Sequence, residues 1–222
     1  MIVAERKPIE EIVKLIGDCR HIVLAGCDTC VTVCGAGGER EVSVLASQLK
    51  MHYQQKGIDV DIREVTPKRQ CDSEFVEDIR AHVEGADCIL SMACGAGVQM
   101  AADRYPALPV YPAVNTEFIG VAEEAGVWAE RCQGCGDCIL GITGGICPIA
   151  RCAKNLLNGP CGGSHGGKCE VKTDRPCAWH LIVERLSERG KLDVLEEVLP
   201  AKSWWTDRSG GPRKVVREDM KK

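Results

Sequence analysis

Much of what would define a common class of protein is scarce or missing from this sequence. Basic charge is not in surplus: 28 Lys and Arg stand against 32 Asp and Glu among 222 residues, a formal net charge of -4. A nucleic-acid partner needs an excess of cations to neutralise phosphate, so none is expected. No apolar run reaches the roughly 20 residues of a membrane span, which excludes that class. The opening MIVAERKPIEE carries acids early and lacks the apolar core of a signal peptide, so the expected location is the cytoplasm. Ser-His-Asp order, H-E-x-x-H and G-x-S-x-G are all absent, which removes the usual hydrolase signatures. No G-K-S or G-K-T occurs, and G-x-G-x-x-G fails at Arg40 and again at Met100, which argues against a nucleotide loop. Aromatic residues are only 4%, but hydrophobic residues make up 45%, enough for a buried core.

What the chain has in quantity is cysteine, 15 residues, and glycine, 24. A reducing compartment keeps ordinary thiols unpaired. Dense cysteine in such a chain therefore points to soft thiolate ligands for zinc or iron–sulfur clusters. A secreted disulfide scaffold fits poorly, because the chain is long, the count is odd and no export signal is seen.

The first half alternates helix and strand signals. PIEEIVKLIGD, EREVSVLASQLKMHYQQKG and DSEFVEDIRAHVEG have apolar residues at helical spacing, and TEFIGVAEEAG is read as a last helix. HIVLAG, DVDIREV, ADCILSMA and LPVYPAV read as strands. This order predicts an α/β fold: a parallel, doubly wound, Rossmann-like domain over residues 1–127. From 128 to 200 the character changes to a small Cys-rich, ferredoxin-like metal-binding domain, with short helix signals at CPIARCAKNLLNG and CAWHLIVERLSERG. Such a stretch buries little apolar surface, so metal must supply folding energy. Residues 201–222 form a charged tail.

Three cysteine groups stand out. Cys27, Cys30 and Cys34, in GCDTCVTVC, follow a strand, and sites in open parallel sheets form beyond strand carboxyl ends. Gly35 and Gly37 allow close backbone approach to a cofactor. A fourth ligand is needed: Cys94, followed by Gly95 and Gly97 in the same Gly-Ala-Gly pattern, is preferred over Cys71. The loop reverses the C-x3-C-x2-C order of radical-type enzymes. Cys132, Cys135 and Cys138 have C-x2-C-x2-C spacing, followed by Cys147 before Pro148, a partial match to ferredoxins. The triplet suits a 4Fe–4S cluster better than zinc, which normally takes paired, separated half-sites. Cys147 or Cys152 completes either site. Cys152, Cys161, Cys169 and Cys177 hold a further cluster or a structural zinc. Setting Cys19 and Cys88 aside as structural leaves 13 cysteines, three sets of four and one over. Two clusters are expected, and the arithmetic allows a third. His165 is read as a solvent-facing loop residue, and His21, His52, His82 and His180 as structural. Trp204 and Trp205 are either an interface anchor or a satellite core contact.

GCDTCVTVC, ADCILSMACGAGVQ, YPAVNTEFIG, RCQGCGDC, GICPIARC and NGPCGGSHGGKCEV…PCAW occur in an order that resembles the family named for the methylenetetrahydrofolate reductase C-terminal domain. Its stand-alone members are the MetV-type small subunits of acetogenic and related anaerobic bacteria. The resemblance covers roughly residues 1 to 200. It implies a flavin-bearing catalytic subunit as partner, a TIM-barrel protein that reduces methylene- to methyl-tetrahydrofolate in one-carbon metabolism and the acetyl-CoA (Wood–Ljungdahl) pathway. It also implies ferredoxin or another donor complex as electron source. Cluster-ligand roles carry over to Cys27, Cys30, Cys34, Cys132, Cys135 and Cys138, which match the family's motif positions. The expected function is electron transfer without substrate chemistry. The alternatives are a zinc-stabilised assembly subunit and a self-contained flavin/iron–sulfur reductase.

Overall fold

A computed structural model describes residues 1–220. By contact the chain divides into two compact units, Met1–Ala129 and Glu130–Lys222.

The first unit is built on a four-stranded parallel sheet of β2 (His21–Ala25), β3 (Asp61–Val65), β4 (Cys88–Ser91) and β5 (Val110–Pro112), in the order β3-β2-β4-β5. Both faces are covered, as the near-continuous apolar strands require. Ile22, Leu24, Cys88 and Leu90 join one core, Val23, Ala25 and Ile89 the other. The first core receives α1 (Ile9–Ile16) through Ile12 and Ile16, and α3 (Glu39–Gln55) through Val42, Leu45 and Leu49. Gly17 stops α1 in a left-handed conformation (φ 54°). The second core receives a 3₁₀ helix at Phe75–His82 through Val76 and Ile79, and α4 (Gly95–Arg104) through Ala101. Tyr105 binds the two by donating its hydroxyl to the Val76 carbonyl at 2.8 Å. DSEFVEDIRAHVEG is thus helical, but in the tighter 3₁₀ form.

A second sheet, β1-β6-β7, comes from segments read otherwise in the sequence. β1 (Ile2–Arg6) lies outside the strand signals of the sequence, and β6 (Val114–Glu124) covers the segment expected to be a helix. That expectation is corrected. β6 runs antiparallel to β1, with Ile2 opposite Ile119 and Arg6 opposite Val114, then turns at Gly126 (φ 83°) into β7 (Val127–Cys132). The apolar residues of TEFIGVAEEAG fit a helical repeat, but pairing with a strand more than a hundred residues away overrides it. Ile119 and Val121 remain exposed, and Val114 enters the first core.

The second unit has little regular structure. CPIARCAKNLLNG yields only α5 (Pro148–Arg151), whereas α6 (Ala178–Glu188) follows the sequence signal. Its core is small: Ile146, Cys177, Trp179, Ile182 and Leu186. The Trp179 indole donates to the Leu156 carbonyl at 2.8 Å, which satisfies the buried N–H. Among the described residues no helix is long and apolar enough to cross a membrane.

Candidate metal centres

Three loops leave the parallel sheet at the same edge. In register, Ala25 lies beside Val65 on one side and Ser91 on the other, so the chains after β2, β3 and β4 emerge together. After β2 the Gly26 N–H donates to Val65 at 2.8 Å, Cys27 N–H to Gly37 at 2.8 Å and Asp28 N–H to Pro67 at 3.0 Å. A single helical turn, α2 (Cys30–Val33), follows. A Cβ on Gly37 would collide with the Met92 carbonyl, so this glycine serves close packing of the β2 and β4 loops. Gly97 plays a similar part, since a Cβ there would meet Ala93 and Gln70. Gly35 is left-handed (φ 65°), and Gly95 donates its N–H to Thr116 Oγ1 at 2.8 Å.

Gln70 fastens the three loops. It is fully buried, donates to the carbonyls of Ala25 (2.9 Å) and Gly26 (2.7 Å), and accepts from the Ser91 hydroxyl at 2.7 Å. Every polar atom of the side chain with a buried partner is thereby used. Cys71 comes next in the chain. Burial raises its thiol above the ordinary value, and the charges of neighbouring Cys94, Cys27 and Cys30 raise it further. Four cysteines from three loops are therefore electrostatic neighbours. Cys71 and Cys94, the two candidates for a fourth ligand, both lie at this edge. Cys34 is placed otherwise. It is buried in the first core, and its Sγ accepts the Ala4 N–H at 3.4 Å from β1. Cys19 and Cys88 pack together, and burial followed by the hydrogen bond with Cys19 pushes the Cys88 thiol up strongly.

In the second unit Cys132 ends β7 and opens a loop shaped by two left-handed glycines, Gly134 (φ 62°) and Gly136 (φ 81°). The Gly134 N–H donates to Cys132 Sγ at 3.3 Å. Cys132 and Cys138 are exposed and Cys135 is half-buried. The C-terminal segment is laced to this loop. Thr206 donates to the Cys135 carbonyl at 2.8 Å, Lys202 pairs with the Asp137 carboxylate at 3.2 Å, and Arg213 donates to the Gly134 carbonyl.

Cys147 and Cys152 bracket α5 at its two ends, and Cys152 packs on the small core beside Cys177. Cys161, Cys169 and Cys177 lie in one knot of turns: Ser164 N–H donates to Cys161 at 3.2 Å, Cys177 N–H to Gly167 at 2.8 Å and Cys169 N–H to Arg175 at 3.0 Å. Cys177 caps α6. Burial works to raise its thiol, but the Ser164 hydroxyl and the His180 and Trp179 N–H groups outweigh it, so the thiol sits below its usual value. Cys161 also reaches Glu170 at 3.5 Å, a carboxylate held low first by Lys154. His165 is exposed, as expected for a loop residue.

Among the described residues no group of three or more His, Cys, Asp or Glu could hold a metal ion as it stands. The cysteines of the sheet edge are neighbours without converging on one point. The buried side chain that sequence reasoning missed is Gln70, which in KRQCDSE looks like any polar loop residue.

The fold and these groups define an α/β protein whose parallel sheet gathers cysteines at its carboxyl edge and which continues into a Cys-rich unit. Residues 111–205 match the family model described as methylene-tetrahydrofolate reductase C terminal. The matched part holds the Cys132–Cys138 loop, the Cys177 knot and both Trp204 and Trp205, whereas Cys27 to Cys94 lie before it. No curated protein and no solved structure matches the chain.

Proposed function

We propose that this chain is an iron–sulfur electron-transfer subunit that serves the flavin of a partner methylenetetrahydrofolate reductase catalytic subunit. Its electrons would come from ferredoxin or another donor complex. The family match over residues 111–205 supports the link to the reductase. The observation that carries the redox role is the gathering of Cys27, Cys30, Cys71 and Cys94 from three loops at one sheet edge.

Ionised together, four cysteines at one sheet edge would repel one another, and positive iron would remove that cost. A soft, all-sulfur donor set fits an iron–sulfur cluster, which spreads its ligands over several irons instead of converging them on one ion. When bound, such a cluster supplies reversible one-electron chemistry. The chain's part is to hold the sulfurs and to set the surrounding polarity. Gln70 keeps the loops in register, and Cys34 lies beside the set with its sulfur on the β1 backbone. In the second unit Cys132, Cys135 and Cys138 form the corresponding set, with Gly134 N–H on Cys132. Hydrogen bonds to sulfur of this kind tune a cluster's potential. Zinc is the second reading for the Cys161, Cys169 and Cys177 knot, where the low Cys177 thiol suits a permanent thiolate ligand.

Oxygen-protected material analysed for iron, sulfide and zinc tests the proposal. The expected outcome is iron and sulfide in equal amounts, with a broad visible absorbance and a paramagnetic signal after reduction. Cys135→Ser should lower bound iron and block transfer from donor to flavin. It should leave dye-linked oxidation of methyl-tetrahydrofolate by the partner largely intact. A colourless, zinc-only chain, or equal loss of both activities, would overturn the redox role.

A further inference from the structure

The C-terminal segment combines three features that the electron-transfer reading does not use. The first is charge. Residues 201–222 carry seven Lys and Arg against three Asp and Glu, so the tail is basic while residues 1–200 hold a net charge of -8. The second is exposed apolar surface in this basic stretch. Trp205 is 82% exposed and Val215 85%. An indole left in water is unfavourable, and Trp is the residue type most often found as a binding hot spot. The third is attachment. The segment is bonded along the Cys132–Cys138 loop through Thr206 to Cys135, Lys202 to Asp137 and Arg213 to Gly134. Arg213 also reaches the Thr206 carbonyl at 3.0 Å, and a Cβ on Gly136 would strike that same carbonyl. Lys202 lies 5.7 Å from the centre of the Trp204 ring, which holds this indole while its neighbour projects. Arg208 and Lys214 are exposed on the same segment.

We propose that residues 202–214 are a docking strap for a protein partner, which presents an acidic surface with an apolar pocket for Trp205. The inference rests on the redox reading of the Cys132–Cys138 loop for its purpose. A partner seated on the strap is brought next to the loop that holds the sulfurs, because strap and loop share hydrogen bonds. Opposite charge steers the encounter and Trp205 supplies the anchor. The body of the chain, being acidic, would repel such a partner elsewhere.

The test uses the full chain prepared under exclusion of oxygen, with the flavin-bearing methylenetetrahydrofolate reductase subunit as probe. Its affinity is measured at low and high salt for the wild type, Trp205→Ala, Trp205→Phe and the double variant Arg208→Glu/Lys214→Glu. Trp205→Ala is expected to weaken binding at least about tenfold, the range of an interface hot spot, with circular dichroism and bound iron unchanged. Trp205→Phe should retain most of the affinity. The double variant should weaken binding and flatten its salt dependence. Equal affinity for wild type and Trp205→Ala overturns the strap, as does absence of binding by the wild type. So does Trp205-dependent self-association without the reductase. Iron and sulfide in the same samples read the redox role separately: a metal-free chain that still needs Trp205 to bind removes the redox purpose and keeps the strap.

Discussion

Gln70 shows how much of a site can rest on one side chain with no chemistry of its own. It is fully buried and bridges the ends of β2 and β4 from the loop after β3. Gln70→Leu keeps the volume roughly but removes one hydrogen bond from each of two carbonyls and a hydroxyl, leaving Ala25 its Met92 N–H donor and Ser91 its Ala93 N–H donor. Buried polar groups left unpaired cost about 1–3 kcal/mol each, partly relieved by relaxation. A loss of about 2–4 kcal/mol is expected in urea unfolding, with lower iron retention at the sheet edge. An unchanged midpoint would mean that the loops hold register without it. The sequence put Cys27, Cys30 and Cys34 together in the loop after β2, and strand order put Cys71 and Cys94 at the same edge. It could not show that Cys34, at a spacing equal to a ligand's, sends its sulfur to the Ala4 N–H. That outcome depends on β1, which the sequence reading did not contain. Gln70 was illegible for a related reason: a polar residue in a loop gives no sign of burial until the strands around it are placed.

At the scale of elements, parallel strands were legible because HIVLA, DIREV and CILS are short, apolar or β-branched, and bounded by turns. The antiparallel sheet was not, because its pairing is set by the register of Ile2 with Ile119 across nearly the whole first unit. One contact fixes where two of the parallel strands begin. The Asp87 carboxylate, just before β4, accepts the N–H of His21 at 2.8 Å and of Arg20 at 2.7 Å at the start of β2. Those bonds, His21 first and then Arg20, hold its carboxyl below the usual carboxylate range against a small opposing effect of desolvation. A group with a lower pKa in the folded state adds stability above its unfolded pKa and loses that share as pH falls through its folded one. The benefit should thus be complete at neutral pH and fade below about pH 4, the ordinary Asp value. Asp87→Asn should be less stable than wild type at pH 7, with the gap closing as the solution is acidified. Urea midpoints across that range check it, and a gap that widens toward acid would contradict the assignment.

The two units differ most in what holds them together, and this difference makes the metal question testable on the whole molecule. Met1–Ala129 has two extensive cores on either side of its parallel sheet. Glu130–Lys222 has five buried residues in its core and eight cysteines from Cys132 to Cys177. A core that small seldom offsets the conformational entropy of ninety-odd residues, so metal bound as proposed would contribute to folding. The family match runs across this border, from 111 to 205, so it takes in β6 and β7 together with the Cys-rich unit, although by contact all of β6 and half of β7 fall in the first unit. Removing metal with a chelator under reducing conditions should therefore act unevenly. Limited proteolysis is expected to cut first between Cys132 and Cys177 and to leave a resistant fragment ending near Ala129. Thermal unfolding should split into an early phase for the second unit and a later one for the first. The cysteines at the sheet edge lie in loops already bolted by Gln70, so removal of a cluster held there as proposed should cost the first unit little. If the chelated chain kept one cooperative transition and uniform protease resistance, the second unit would have to be stable by packing alone, and the small core around Ile146 and Trp179 would need another source of free energy.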